Sequence, residues 1–234
     1  MTDPGLRVCE LGRVGYVEAV RLQDQLVEQR LTDEIPDTLL LLEHPPVITL
    51  GRRASVADIQ VSQARLSALG IHVHHASRGG LVTYHGPGQL VGYPIVKLRP
   101  RQLTVPCYVR AIEMAIVEAL SEVGVAARLD QHHVGVWTAS AGKIAAVGVA
   151  QRHGVTLHGF AVNLQPDLSH FGLINACGIG QLGVTSAAAM LGHPVDVQDF
   201  KLRIARTLEH QLDTQRACLP KGIHSHVAEA NAAP

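Results

Sequence analysis

Two residues, Cys177 and Lys143, stand in sequence contexts that could support nucleophilic catalysis. Cys177 ends the apolar segment "FGLINAC", and Gly178 and Gly180 after it permit a sharp turn. A thiol on such a turn lies beside free backbone N–H groups, so a nucleophile and donors for an oxyanion would occur together. Acyl transfer requires both groups. The alternative is an inert buried cysteine, which is common for this residue type.

Lys143 opens the otherwise apolar segment "KIAAVGVA" and is one of only four lysines in the chain. In a regular strand, Lys143, Ala145, Val147 and Val149 would share one face. An ammonium group directed toward a core is unfavourable, so we expect the pKa of Lys143 to be lowered. A lysine beside a thiol favours the thiolate and can accept a proton as a base. The alternative is a lysine at a strand end that extends to solvent.

The segment "RGGLVTYHGPGQLVGYP", residues 78–94, holds five glycines and two prolines. Glycine at this density has an entropic cost, so a fold keeps it where the backbone must turn tightly or approach another group. The part "GPGQLVG" lacks the Lys-Ser/Thr pair of a phosphate-binding loop, and more strand follows it. No nucleotide cofactor is therefore indicated.

The histidines are numerous but show no metal-binding motif. Alternation places His158 on the face of Phe160, Val162 and Leu164, where a histidine is more often a hydrogen-bonded core residue than a catalytic one. His85 differs because it lies at a strand end, directly before "GPG". None of the histidines has the HExxH spacing or a second ligand pair at helical spacing, so no metal site is predicted.

The composition excludes several classes of protein. The chain has 234 residues, of which 47% are apolar and 17% charged, which is typical of a globular protein. Its formal net charge is zero and its aromatic content is 3%, so we predict no nucleic-acid partner. The apolar runs are too short to cross a bilayer, and no signal-peptide core is present, so we expect a cytoplasmic protein without a membrane segment. Four scattered cysteines without a CxxC pair indicate neither disulfides nor a zinc site.

The order of elements predicts one α+β domain over residues 1–213, with a mixed, largely antiparallel sheet and flanking helices. Residues 214–234 are predicted to form a flexible tail. Apolar periodicity predicts helices over residues 16–30, 56–69, 105–123 and 195–212. Strands are predicted in "LRVCEL", "TLLLL", "VITL", "IHVHHAS", "GVWTA", "KIAAVGVAQR" and "GVTLHGFAVNL", with the last two joined by a hairpin turn at His153-Gly154.

Taken together, these motifs resemble those of the lipoyl(octanoyl) transferase family. The resemblance covers nearly the whole chain, from "LLLLEHPPVITLGR" to "GVTS", and is most specific in the glycine-rich segment. The motifs "GKIAAVG", "HGFAVN" and "ACG" follow in the expected order. Members of this family move an octanoyl group from acyl carrier protein to a lysine of a lipoyl domain.

The resemblance implies an acyl thioester on Cys177, with Lys143 lowering the pKa of the thiol and acting as acid and base. It implies octanoyl-acyl carrier protein as donor, and lipoyl domains of 2-oxoacid dehydrogenases and the glycine cleavage H protein as acceptors, with no cofactor. It implies the fold of the catalytic domain of biotin and lipoate protein ligases. The residues that it implies for the acyl site are Arg78, Gly79, Gly80, Leu81, Val82, Thr83, Tyr84, His85, Ala146, Val147, Gly148, His158, Gly159 and Phe160.

Small residues at Gly79, Gly80, Ala146 and Gly159 would leave a slot for a linear chain, with glycine backbone against the acyl group. Burying eight carbons at about 0.8 kcal/mol per CH₂ would contribute roughly 6 kcal/mol. Three other functions remain open. An ATP-dependent lipoate or biotin ligase would form an adenylate and would not need Cys177; a non-catalytic acyl or lipoyl-domain binding protein would not need it either; a thioesterase would release free octanoate.

Overall fold

Two β-sheets and five α-helices form the part of the chain that the computed structural model describes, residues 5–139, 142–175 and 183–215. The helices are α1 (Tyr16–Leu31), α2 (Gln63–Ala68), α3 (Val105–Glu122), α4 (Ala187–Leu191) and α5 (Val197–Thr214). The strands are β1 (Arg7–Arg13), β2 (Thr38–Glu43), β3 (Val47–Leu50), β4 (His72–His75), β5 (Val82–His85), β6 (Gln89–Ile95), β7 (Arg128–Leu129), β8 (Val136–Thr138), β9 (Gly142–Arg152) and β10 (Val155–Asn163). Two 3₁₀ turns span Val56–Asp58 and Leu168–Leu173.

The large sheet has the strand order β1-β2-β6-β10-β9-β8-β7, and the small sheet has the order β4-β3-β5. The pairs β1–β2 and β3–β4 are parallel, whereas the other neighbouring strands are antiparallel. Helices flank this mixed, largely antiparallel arrangement. The predicted α+β fold class is confirmed.

Helices cover both faces of the large sheet, because its inner strands are apolar on both faces. In β2, Leu39 and Leu41 belong to the apolar cluster that includes residues of α3 and α5, whereas Leu40 and Leu42 belong to the cluster that includes α1. Successive residues of a strand point to opposite faces, so one strand contributes to both clusters. The inner strands β6, β10 and β9, which carry the site described below, are held within this packing.

The two longest helices begin at the residues that favour helix starts. In α3, the Thr104 hydroxyl accepts the backbone N–H of Cys107, and in α5, Asp196 accepts the N–H groups of Gln198 and Asp199. Such caps satisfy donors that have no partner within the helix. The helix over 105–123 is confirmed within one residue, and the last helix lies two residues later in the chain than predicted.

The single helix predicted over residues 56–69 is wrong. The structure has a 3₁₀ turn capped by Ser55 and the separate short helix α2 capped by Ser62. Between them, Ile59 forms an isolated antiparallel bridge with Ile174. Serine side chains form hydrogen bonds with the backbone nearby, so each of the two serines starts a new turn. The bridge to Ile174 takes the residues between the two turns out of helical conformation.

Most of the predicted tail, residues 214–234, lies outside the described residues, since α5 ends at Thr214. The prediction of flexibility there stays a prediction. Across the described ranges, none of the helices combines the length and the apolar character that a membrane crossing requires.

Candidate active site

A cavity of about 490 Å³ is lined by residues of both sheets. Its lining comes from the glycine-rich segment, which includes β5 and most of β6, and from β9 and β10. Ligand pockets commonly measure about 300–1,000 Å³. The lining combines apolar side chains with buried polar ones, so it can take a ligand that has an apolar body and a polar reacting group.

Lys143 lines this cavity, and so do the residues implied for the acyl site, with two exceptions. Cys177 lies outside the described residues, so its role stays a prediction. The residues implied by the resemblance that the structure brings together here are Arg78, Gly80, Leu81, Val82, Thr83, His85, Ala146, Val147, Gly148, His158, Gly159 and Phe160.

The two exceptions, Gly79 and Tyr84, form hydrogen bonds with other parts of the fold. The Gly79 N–H donates to the Val149 carbonyl at 2.9 Å, which ties the glycine-rich segment to β9. The Tyr84 side chain is buried, and its hydroxyl shares a 2.8 Å hydrogen bond with Nδ1 of His170. Burial raises the pKa of Tyr84 to about 12. Neither residue lines this cavity, and their place in the acyl site stays a prediction.

A β-bulge in β9 turns Lys143 away from the face of Ala145. Lys143 pairs with Trp137 of β8, while Ala145 pairs with the preceding residue, Val136, so Ile144 is an extra residue. Because Val136 and Trp137 are consecutive and point to opposite faces, Lys143 and Ala145 do so too. The predicted shared face is thus wrong. The bulge leaves Ala145 in the core and directs Lys143 to the cavity.

The Lys143 ammonium is held by an acceptor and an aromatic ring. Nζ donates to the carbonyl of Val134 at 3.1 Å and lies 4.7 Å from the centre of the Trp137 ring. Burial lowers the pKa of Lys143, while the negative charges of Glu113 and Asp130 raise it. The net direction is down, as the sequence predicts. A lysine with a lowered pKa has a larger share of neutral amine at a given pH, and the neutral amine can act as a base.

Arg78 uses its guanidinium to hold the glycine-rich segment against β3. Nη2 donates to both the carbonyl and the hydroxyl of Thr49 at 2.8 Å, and Nη1 donates to the Leu81 carbonyl at 2.9 Å. Within the described residues no carboxylate pairs with it, and desolvation lowers the pKa of Arg78. This buried arginine therefore shapes one wall of the cavity.

His85 and His158 are neutral, buried parts of the lining. Burial lowers the pKa of His85 to about 3 and that of His158 to about 4. His158 has a φ of +57°, and its Nε2 shares a 2.8 Å hydrogen bond with the hydroxyl of Ser77. A residue in the left-handed region interrupts the alternation of side chains along a strand. The prediction that His158 shares a face with Phe160 is therefore wrong. The His158 ring lies against Tyr93 instead.

Several lining residues were not predicted. Gln89, Tyr93 and Asn163 lie inside the quoted motifs but were not singled out, so the motifs themselves were the signal. Tyr16, at the start of α1, carries no sequence signal. Its buried hydroxyl has no hydrogen-bond partner in the described part of the chain. The remaining lining residues that were not predicted are Arg53, His132, His133, Val134, Ala161, Phe171 and Val184.

Several glycines of the segment approach the protein's own groups. A Cβ on Gly92 would lie 2.1 Å from the Phe160 ring, and a Cβ on Gly88, which has a φ of +84°, would lie 2.4 Å from the Gln165 carbonyl oxygen. Outside the segment, a Cβ on Gly159 would similarly lie 2.3 Å from the Gly92 carbonyl oxygen. At these positions glycine is needed for internal packing, so the hypothesis that the segment's glycines face an acyl chain is too broad.

Residues 5–139, 142–175 and 183–215 contain no group of three or more His, Cys, Asp and Glu side chains placed to hold a metal ion. What the site offers chemically is an amine, neutral imidazoles, phenols and an apolar wall.

The chain resembles a known family over most of its length. Residues 15–209 match the family model of the lipoyl protein ligase A/B catalytic domain. An octanoyltransferase of Alkaliphilus metalliredigens is 46% identical over 192 residues, covering 82% of this chain and 88% of that protein. An octanoyltransferase of Geobacter metallireducens is 41% identical over 211 residues, covering 89% of this chain and 94% of that protein.

Two solved structures have a similar fold. A bipartite lipoate protein ligase of Thermoplasma acidophilum superposes with a TM-score of 0.67 at 17% identity, over 89% of this chain and 84% of that one. The biotin protein ligase of Aquifex aeolicus in complex with biotin and ATP gives 0.57 at 13% identity, over 90% of this chain and 72% of that one. Both similarities concern the fold.

Proposed function

The chain belongs to the lipoyl protein ligase A/B catalytic-domain family, and we propose that it is an octanoyltransferase that carries its acyl group as a thioester on Cys177. The observation that carries this proposal is the cavity. Lys143 lines it together with Phe171 and Val184, which lie on either side of the segment that bears Cys177. The curated relatives with 41–46% identity are octanoyltransferases, which supports the same activity here.

The residues that flank the segment bearing Cys177 are hydrogen-bonded to fixed parts of the fold. After it, the Gly183 carbonyl accepts the N–H of Lys143 at 3.1 Å, and the Thr185 N–H donates to the Lys143 carbonyl at 3.0 Å. Before it, the Asn175 N–H donates to the Asp58 carbonyl at 2.6 Å. The chain therefore returns to Lys143 six residues after Cys177, which supports the proposed pairing of the thiol with the amine.

In the first half-reaction, the Cys177 thiolate attacks the thioester carbonyl of the octanoyl donor. A carbon–sulfur bond to Cys177 forms and the donor's carbon–sulfur bond breaks. The proton that Lys143 took from the Cys177 thiol passes to the departing donor thiolate. Splitting the transfer in this way replaces one difficult step by two easier ones.

In the second half-reaction, the amine of an acceptor lysine attacks the acyl thioester. A carbon–nitrogen bond forms, the bond to Cys177 breaks, and one proton leaves the attacking nitrogen. The neutral amine of Lys143 accepts that proton, and it can return it to the Cys177 sulfur. Burial supports this role because it lowers the pKa of Lys143.

The acyl chain is proposed to lie along the apolar part of the cavity, beside Val82, Ala146, Val147 and Phe160. The donor is proposed to be octanoyl-acyl carrier protein. The acceptors are proposed to be lipoyl domains of 2-oxoacid dehydrogenases and the glycine cleavage H protein. The Thermoplasma structure describes a lipoylation system with its E2 lipoyl domain, which supports this class of acceptor. The proposed location is the cytoplasm.

Ala146→Leu is expected to shorten the acyl chain that the enzyme accepts. Ala146 lines the cavity, and a larger side chain there would displace about three CH₂ groups. At about 0.8 kcal/mol each, this loss corresponds to roughly 50-fold in kcat/KM for an octanoyl donor. A butanoyl donor should be much less affected. The measurement is kcat/KM for both donors.

Ala189→Leu is the control for this substitution, because Ala189 is exposed in α4. It should leave the values for both donors unchanged. An equal loss for both donors in Ala146→Leu would contradict the placement of the acyl chain.

The proposed function is tested by mixing the purified protein with octanoyl-acyl carrier protein and a lipoyl domain in the absence of ATP. The acceptor lysine should become octanoylated at a rate that depends on enzyme concentration. A requirement for free octanoate and ATP would identify a ligase instead, and free octanoate as the main product would identify a thioesterase. Either result would contradict the proposal.

A further inference from the structure

Glu113 is a buried carboxylate on α3 that lies outside the cavity lining and binds the segment before β8. The residue is 8% exposed, and its Oε1 accepts the N–H of Gly135, 22 residues away, at 2.7 Å. Burial raises the pKa of Glu113 and outweighs this N–H and the positive charges of Arg110 and Lys143, which lower it. A carboxylate is costly to bury unless its partners recover that cost. Its partners here are the Gly135 N–H and nearby positive charge.

The peptide that Glu113 binds is also the one that holds Lys143. The Val134 carbonyl, directly before Gly135, accepts Nζ of Lys143 at 3.1 Å. Gly135 has a φ of +121°, and a Cβ there would lie 2.7 Å from the Ala145 carbonyl oxygen and 3.2 Å from Cε of Lys143. The segment 134–135 therefore fits between α3 and the lysine with no room for a side chain at Gly135.

We propose that Glu113 is a positioning residue for Lys143: through the Gly135 N–H it fixes the Val134 carbonyl that receives the Lys143 ammonium. This inference rests on the proposed function, in which Lys143 moves the protons. A lysine side chain is a flexible four-carbon stem that loses entropy when it is ordered. Because the Val134 carbonyl is already fixed, the Lys143 side chain has less conformational entropy to lose when the substrate binds.

The charge of Glu113 has a second effect on the same amine. The groups that act electrostatically on Lys143 are Glu113 from α3 and Asp130 from the segment before β8. His132 and His133 line the same cavity, and His133 is bonded to Asp130. Glu113 and Asp130 oppose the effect of burial, so the loss of either charge should lower the pKa of Lys143 further.

Two substitutions distinguish the positioning effect of the Glu113 side chain from the effect of its charge. Glu113→Gln keeps an oxygen acceptor for the Gly135 N–H and removes the charge, so the pKa of Lys143 should fall further. The formation of the acyl-enzyme should stay within about 3-fold of the parent at the pH optimum, with its pH profile displaced to lower pH. Glu113→Leu removes acceptor and charge together, and acyl-enzyme formation should slow by about 100-fold.

The pKa of Lys143 can be read directly by NMR with ¹³C-labelled lysine, because the chain has four lysines and the Lys143 signal disappears in Lys143→Arg. Glu118→Gln is the matched control, since Glu118 lies on the same helix and accepts from Gln211 of α5. It should leave both the Lys143 titration and acyl-enzyme formation at parent values.

The inference is overturned if Glu113→Gln leaves the titration of Lys143 unchanged and a folded Glu113→Leu forms the acyl-enzyme at the parent rate. If Glu113→Leu does not fold, the Lys143 titration and pH profile of Glu113→Gln decide alone. Failure of the proposed function looks different: the parent itself would form no adduct on Cys177, while the NMR titration would still report whether Glu113 acts on Lys143.

Discussion

Cys177→Ala is expected to lower kcat/KM for octanoyl transfer by about four orders of magnitude. The substitution removes the sulfur that would carry the acyl group, and the cavity supplies no second thiol among the described residues. Binding of the octanoyl donor should persist, because the apolar lining is unchanged. The measurement is the initial rate of octanoylation of a lipoyl domain, with a binding assay for the donor run in parallel.

Cys9→Ala is the matched control for this prediction. Cys9 is a free, half-buried cysteine in β1 that packs against the cluster on the α1 face, away from the cavity lining. It should transfer octanoyl at the parent rate. Transfer that continued in Cys177→Ala and stopped in Cys9→Ala would contradict the assignment of the nucleophile.

Lys143→Met is expected to slow formation of the acyl-enzyme by about 10²–10⁴-fold, which is the usual contribution of general acid–base catalysis. Methionine keeps an unbranched apolar side chain on Trp137 but cannot carry a proton. Alkylation of Cys177 by iodoacetamide should then require a higher pH than in the parent, because the thiolate loses its cationic neighbour. Stopped-time mass spectrometry and a pH series of alkylation rates measure the two effects.

The pH dependence of acyl transfer to the acceptor amine follows from the same residue. Burial lowers the pKa of Lys143, so a larger share of its amine is neutral at a given pH than for free lysine, whose pKa is about 10.4. The rate should rise with pH as this amine loses its proton and level off below the pKa of free lysine. This rise of the rate with pH should be absent in Lys143→Met.

Lys97→Met is the control, because Lys97 forms an ion pair with Asp33 at 2.7 Å and does not line the cavity. It should keep the parent rate and the parent alkylation profile. An unchanged alkylation profile in Lys143→Met would remove the proposed coupling between amine and thiol.

Local sequence signals predicted the elements whose structure depends on nearby residues. The hairpin between β9 and β10 turns at His153 and Gly154, which both have positive φ, as a two-residue turn requires. Helix α5 begins after Asp196 because that side chain satisfies two N–H groups of its first turn. In each case the deciding contacts lie within a few residues of one another in the chain.

Features that depend on distant partners were not predictable in the same way. The bulge at Ile144 appears only when β9 pairs with β8, and it reverses the face that periodicity assigns to Lys143 relative to Ala145. The break in the helix predicted over 56–69 involves a bridge from Ile59 to Ile174, more than a hundred residues later, in addition to the local caps at Ser55 and Ser62. Contacts of this kind leave no periodic signal in either segment.

The same distinction between local and distant contacts applies to the candidate site. The motifs identified most of the cavity lining, but Tyr16 reaches it from α1 and Phe171 from a 3₁₀ turn. Glu113 lies within an amphipathic helix, where a single glutamate looks like any other polar residue. Its relation to Lys143 depends on one peptide, Val134–Gly135, in which Gly135 lies 22 residues from Glu113 and Val134 lies nine residues from Lys143.

The central claim, that an octanoyl group is carried on Cys177, is tested most directly by mass spectrometry of the intact protein after mixing with octanoyl-acyl carrier protein, without ATP or acceptor. We expect one added octanoyl group, located on Cys177 by peptide mapping, released by hydroxylamine and absent from Cys177→Ala. An adduct that forms only with ATP, or that maps to another residue, would contradict the account.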